Sequence, residues 1–218
     1  MELDVRQLEL GPFPVNCYLV RRPGADEAIV VDPGWPGTDA DIRLELAGMG
    51  ARCVAILVTH GDLDHIGGVA ELAEGTGAPV WMAEAESHLL EHANDHKPAG
   101  FETIPLRSWT PEHKLAGDET FGAAGIELET LPVPGHTAGH LAYFTEGHLF
   151  SGDVLFASSV GRTDRPGNSH EALLESIAML VQRFPPETVV YPGHGPVTTL
   201  GRELETNPFL AELRATRQ

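Results

Sequence analysis

The residues best suited to chemistry stand in one short run, Thr59-His60-Gly61-Asp62-Leu63-Asp64-His65. It packs two imidazoles and two carboxylates into the six positions from His60 to His65. Unpaired, acids so close together repel one another and raise each other's pKa. A bound dication removes that conflict, because neutral imidazole and ionised carboxylate are both good ligands for first-row metals. Three further groups lie downstream in similar surroundings. His136 follows Pro134-Gly135, Asp153 follows Ser151-Gly152, and His194 follows Pro192-Gly193.

His60, Asp62, Asp64, His65, His136, Asp153 and His194 make seven side-chain donors. A tetrahedral zinc site uses four or fewer, and a catalytic zinc keeps one position for water. Seven are too many for one such ion, whereas two ions sharing one carboxylate and one bridging water use them all. Ions about 3.5–4 Å apart can hold both the attacking and the leaving atom of a displacement.

The elements that must position these donors are visible in the surrounding chain. The donors follow β-rich runs at residues 53–58, 126–133, 148–150 and 188–191. Turns that leave neighbouring strands gather at one edge of a sheet, where α/β folds place their sites. Further strand-like segments open the chain at Leu3–Leu10, Asn16–Arg22 and Glu27–Val31. Thr38 or Asp39 is placed to cap a helix with Ile42, Leu46 and Met49 on one face and Gly50 as its stop. A second helix is predicted from near Gly67, with Val69, Leu72 and Ala73 inward. A third is predicted from near Asn168, with Glu171 as capping-box partner and Leu173, Ile177 and Leu180 as its apolar stripe. Alternating strands and helices read as an α/β fold with helices covering sheet faces. Residues 93–120 are the least regular, a pattern that fits either a substrate wall or a solvated excursion.

Composition removes several function classes. Asp and Glu number 32 against 14 Lys and Arg, a formal charge of −18, which repels phosphate backbones and anionic lipid. No nucleic-acid or membrane partner is therefore expected. No apolar run approaches the roughly 20 residues of a membrane span. The opening Met-Glu-Leu-Asp-Val-Arg lacks a basic region followed by an apolar core, and Cys17 and Cys53 are isolated. These features lead to the expectation of a cytoplasmic chain forming one domain over residues 1–218, with a homodimer left open.

The donor motifs resemble those of the metallo-β-lactamase-fold hydrolases, most closely the glyoxalase II-like (hydroxyacylglutathione hydrolase-like) branch. That family carries T-H-x-H-x-D-H, then a His in P-G-H-T, an Asp in S-G-D and a His in G-H-G. Here these stand at Thr59–His65, Pro134–Thr137, Ser151–Asp153 and Gly193–Gly195. Asn16-Cys17-Tyr18, Val31-Asp32-Pro33-Gly34, Gly161-Arg162-Thr163-Asp164 and residues 206–210 resemble the branch as well. The resemblance implies a four-layer αββα sandwich with two divalent ions in a cleft at one sheet edge. One ion would take His60, residue 62 and His136; the other would take Asp64, His65 and His194; Asp153 would bridge. Asp32 and His140 would support the ligands without binding metal. Arg162 and Arg165 lie on the loop where the family places substrate contacts, and could pair with a substrate carboxylate or with nearby acids.

One position departs from the family. Its second histidine is Asp62 here, and a carboxylate is a harder, charged donor that favours iron or manganese at that site. The flavodiiron proteins of this fold carry a Glu there and hold iron. The other site keeps the standard set, with zinc as the expected metal. The expected activity is hydrolysis of a small acyl thioester (hydroxyacyl-thiol type) or related ester, with hydroxide shared by the ions as nucleophile and Asp64 orienting it. Two alternatives stand beside it. One is a non-haem iron oxidoreductase of the persulfide dioxygenase or diiron type; the other is a metal-binding scaffold without catalysis. About twenty residues follow Gly195, so most of the helical module with which full-length glyoxalase II holds glutathione has no counterpart in this sequence.

Overall fold

A computed structural model describes residues 3–97 and 99–215 of the chain. The first sheet holds β1 (Asp4–Leu10), β2 (Val15–Arg21), β3 (Glu27–Val31), β4 (Arg52–Leu57), β5 (Val80–Ala83) and β6 (His113–Leu115), side by side in that order. β1 to β3 are antiparallel neighbours and β3 to β6 run parallel. The second sheet contains β7 (Thr120–Ala123), β8 (Ile126–Pro132), β9 (Leu141–Thr145) and β10 (His148–Gly152). A ribbon of β11 (Leu155–Phe156) and β12 (Ser159–Val160) follows. β13 (Val189–Pro192) then joins β10 in parallel, and β14 (Thr198–Thr199) closes that edge.

The layers follow from the two-residue side-chain period of strands buried on both faces. Cys17, Leu19, Ala28 and Val30 point to one core, which they share with Ile42, Leu46, Val69 and Leu72 of the helices α1 (Asp39–Met49) and α3 (Val69–Thr76). Tyr18, Val20, Ile29 and Val31 point the other way and meet Ile126, Leu128, Tyr143 and Phe150 of the second sheet. The outer face of that sheet packs Leu131, Leu149 and Val190 against Leu173, Ile177 and Leu180 of a third long helix. Helix, sheet, sheet, helix is the αββα sandwich that the sequence led us to expect.

The smaller helices refine those expectations. Near Gly67 the chain forms two pieces, α2 (Leu63–Ile66) and α3, so helical structure begins four residues before Gly67 and is broken at Gly67-Gly68. A Cβ on Gly68 would lie 2.8 Å from the Pro33 carbonyl oxygen and 3.0 Å from that of Trp35, so this break is where the loop after β3 presses against the helix. α4 spans Ser87–Glu91. The helix expected from Asn168 is α5 (His170–Arg183), capped by Ser169, whose side chain accepts from the Ala172 N–H. The cap is thus one residue later than read from the sequence. The Asn168 N–H is committed to a turn with the Arg165 carbonyl. α6 (Leu200–Thr206) and α7 (Ala211–Ala215) close the described chain. No helix among the described residues is long and apolar enough to cross a membrane.

Candidate metal centre

Four strand ends converge. His60 leaves β4, His136 leaves β8, Asp153 leaves β10 and His194 leaves β13. Asp62 precedes α2, which carries Asp64 and His65. All seven expected donors meet here. Ligand atoms of His60, Asp62 and His136 lie within 4.8 Å of one another, as do those of Asp64, His65 and His194. Asp153 stands between the two groups: Oδ1 is 3.4 Å from His65 Nε2, and Oδ2 is 3.7 Å from His136 Nε2 and 3.5 Å from His194 Nε2. Together they form a binuclear metal-binding site of His and Asp ligands.

The unliganded atoms show that this constellation fits metal. Nε2 of His60, His65 and His136 and Oδ1 of Asp153 are buried with no hydrogen-bond partner. Such orphans are costly unless something absent from the protein itself satisfies them. Every donor imidazole is also turned the right way by its other nitrogen. His136 Nδ1–H donates to the Arg162 carbonyl at 2.9 Å and His194 Nδ1–H to that of Pro14 at 2.6 Å. His65 Nδ1–H donates to Asp32 Oδ2 at 2.9 Å. The Thr59 hydroxyl gives its proton to the same Asp32 oxygen, so at 3.0 Å it accepts from His60 Nδ1–H. In each case the Nε2 lone pair is left for an ion.

Asp32 therefore sets two of the four rings, from a residue held at φ +51°, a strained conformation for a non-glycine. His140 does not reach the ion positions. Its Nε2 accepts from the Asp153 N–H at 3.1 Å and its ring stacks on His60 at 4.6 Å. The turns themselves require small residues. A Cβ on Gly193 would lie 2.1 Å from Asp153 Oδ1, and one on Gly161 would lie 1.9 Å from the Asp153 carbonyl oxygen.

Charge within the site is strongly coupled. Burial lowers the pKa of His60, and the neighbouring imidazoles lower it further. Burial opposes protonation of His65, His136 and His194 as well, but the facing carboxylates outweigh it and raise all three. Burial would raise Asp153, yet His65, His194 and His136 hold it below the ordinary carboxylate range. Dications replace protons in such a cluster, so metal uptake and proton release are linked.

Five of the donors, Asp62, Asp64, His136, Asp153 and His194, line a cleft of about 710 Å³. Its apolar side is built from Phe13, Trp35 and Phe101, whose rings lie 5.7–5.9 Å apart, each on a different segment. Phe101 comes from the irregular stretch, which thus forms part of the wall. The two arginines both have protein partners. Arg162 pairs with Asp164 through Nε and Nη2, and Arg165 Nη1 bonds Asp62 Oδ2 at 2.7 Å.

A buried carboxylate beside the site has no signature in the sequence. Glu86, in the short turn Glu84–Glu86, accepts from the Gly61 N–H at 2.7 Å and from the Gly139 N–H at 2.9 Å. It ties the His60 turn to the His136-Thr137-Ala138-Gly139-His140 turn. Nothing in its local sequence distinguishes it from a surface acid.

Sandwich and metal site define an enzyme of hydrolase type. The chain belongs to the metallo-beta-lactamase superfamily, which it matches over residues 10–194. It is similar to the hydroxyacylglutathione hydrolase GloC of Haemophilus influenzae, with 29% identity over 95% of this chain and 98% of that protein. Among solved structures it is similar to the BLEG-1 B3 metallo-β-lactamase, with TM-score 0.85 and 35% identity over 95% of this chain and 100% of that one. TTHA1623, crystallised in a di-iron-bound form, has TM-score 0.82 and 38% identity over 94% of this chain and 100% of that one.

Proposed function

We propose that this protein hydrolyses a small acyl thioester or related ester, as a member of the glyoxalase II-like branch. The observation that carries this reading is a pair of complete donor groups sharing Asp153 at the floor of an open cleft. Among the described residues lining that cleft there is no Ser, Thr or Cys to serve as a nucleophile. His60, Asp62 and His136 would hold one ion, Asp64, His65 and His194 the other, and Asp153 both. With ions bound there, zinc being the expected metal, the site would supply water activation and Lewis-acid stabilisation of negative charge.

The protein's own groups do the rest. Asp64 Oδ2, 3.2 Å from His194 Nε2, sits at the cleft surface, where it can orient a water as well as bind. Phe13, Trp35 and Phe101 exclude water from one side and offer an apolar seat for the acyl or thiol portion. Of the two arginines, Arg162 is the better placed to share its guanidinium with a substrate carboxylate, because its pair with Asp164 is solvent-exposed on both sides whereas Arg165 is paired with the part-buried Asp62. Similarity to a hydroxyacylglutathione hydrolase supports the thioester class.

The test is a panel of acyl thioesters, lactones and β-lactams offered to the metal-loaded protein. Turnover of thioesters with release of free thiol is expected. Failure on every thioester, ester and lactone would overturn the proposal.

A second reading has one specific observation in its favour. His60, Asp62 and His136 make two imidazoles and one carboxylate, a set that suits non-haem iron, and TTHA1623 was crystallised with two irons. Oxygen uptake by iron-loaded protein would support it. Native protein that contains zinc and consumes no oxygen removes it.

A further inference from the structure

Asp62 is joined to a cation that is not one of the metal donors. Arg165 Nη1 donates to Asp62 Oδ2 at 2.7 Å, and the same oxygen lies 3.4 Å from His136 Nε2 and 4.0 Å from His60 Nε2. A single carboxylate oxygen thus faces the metal donors and a cation at once. The cation is firmly built in. Arg165-Pro166-Gly167-Asn168 forms a turn closed by the Asn168 N–H on the Arg165 carbonyl at 3.1 Å. Pro166 and Gly167, the latter at φ +88°, occupy the two central positions where a type II turn wants those residues.

On both sides this loop is fastened to the turn that bears His136. The Arg162 carbonyl accepts from His136 Nδ1–H, and the Ser169 N–H donates to the Gly135 carbonyl at 2.9 Å. Arg165 and Asp62 also stand together in the partition between the metal cleft and a neighbouring cavity of about 520 Å³. The Asp62 side chain is 21% exposed and that of Arg165 is 39% exposed, so the pair is only partly screened by solvent.

We propose that Arg165 acts on the metal centre through Asp62, by compensating its charge. Asp62, Asp64 and Asp153 bring three negative charges to the two ion positions, and Arg165 cancels one of them. The remaining net charge of −2 is that of a centre with a neutral imidazole at position 62. Asp62 and Arg165 therefore act as one unit, which restores the balance that a carboxylate at this position would upset. The Arg165 charge also stands against a dication at the His60–Asp62–His136 group and moderates its affinity. This inference concerns the centre itself and holds whichever bond the enzyme cleaves.

The test is metal binding by the metal-free full-length chain, titrated with Zn(II) and with Mn(II) against a competing chromogenic chelator. Wild type is compared with Arg165→Met, Arg165→Gln and Arg165→Lys, and thermal unfolding confirms that each variant is folded. Met and Gln remove the charge, and the ion at the His60–Asp62–His136 group should then bind at least about tenfold more tightly, read as a tightening of one of the two binding steps. Lys keeps the charge and should stay near wild type. Unchanged affinity in Met and Gln overturns the proposal. So does weakening by about 10–100-fold, the mark of a partner that merely orients a ligand. An unchanged metal titration with a higher KM confined to anionic substrates also overturns it, because Arg165 would then be a substrate contact.

Discussion

At the scale of single residues, the chemistry is decided by which atoms are left without partners. Three buried imidazole nitrogens and one carboxylate oxygen point at the same space, because Asp32, Thr59 and the Arg162 carbonyl occupy the other side of those rings. Asp62 is the residue through which this centre departs from its family. Asp62→His replaces a hard anionic donor with a neutral borderline one, so the ratio of zinc to manganese affinity should rise at least about tenfold, read by competitive titration. His140 gives a pH prediction with a definite sign. Burial, reinforced by His136, pushes it from the ordinary 6.5 down to about 3. Its folded pKa lies below its unfolded one, so its contribution to stability is complete above pH 6.5 and is lost as pH falls from 6.5 towards 3. In metal-free protein, the stability gap between wild type and His140→Gln should therefore narrow on acidification across that window, as urea unfolding would show. A gap independent of pH would mean that His140 titrates normally.

At the scale of elements, the site depends on strand ends being fastened to one another across the sandwich. Asn16 on β2 is the clearest case. Its Nδ2 donates to the carbonyls of Pro192 at 2.9 Å and Gly195 at 2.8 Å, bracketing His194, while the Tyr18 hydroxyl donates to Pro192 as well. Asn16→Ala strands polar groups of that turn and should cost about 1–3 kcal/mol in urea unfolding. It should also weaken the Asp64–His65–His194 group more than the other group, visible as loss of one metal equivalent by elemental analysis. Equal loss from both groups would argue against so local a role. The elements were also where sequence reading slipped by small amounts. Ser169 rather than Asn168 caps α5: the first helical bond runs from the Leu173 N–H to the Ser169 carbonyl, and Asn168 ends the turn that begins at Arg165. The Gly67-Gly68 break follows from contacts with Pro33, Trp35 and Pro36, more than thirty positions earlier in the chain. Local periodicity carries no signal for either.

At the scale of the whole molecule, two sheets and their helices bring together seven donors, several of whose buried atoms have no partner within the protein. Metal should thus be a structural as well as a chemical component. Free ion at about a thousand times its Kd stabilises the folded state by about 4 kcal/mol, and in a chain of this size each kcal/mol moves Tm by roughly 2–4 °C. Chelation should accordingly lower Tm by on the order of 10 °C, with recovery when Zn(II) is restored, as calorimetry would record. A Tm indifferent to chelator would mean that the donors are satisfied without metal. The cleft is a property of this scale too, since Phe13, Trp35 and Phe101 meet only after the first sheet and the irregular stretch have packed.

In the sequence, strand and helix periodicity indicated an α/β fold with helices over the sheets, the family resemblance implied the four-layer order, and the seven donors stood out as candidates. Strands such as β2 and β3 are apolar on both faces, and a strand of that kind has to lie between two layers. The donors are chemically distinctive and stand next to glycines at the ends of apolar runs, so their types and order could be read without coordinates. Partnership was settled only by tertiary structure. Asp62 and Arg165 lie 103 positions apart, and Glu86 reaches Gly61 and Gly139 from the middle of an acidic stretch. A side chain's type states what it can bond, but its partner is fixed by distances that arise only when the strand ends converge.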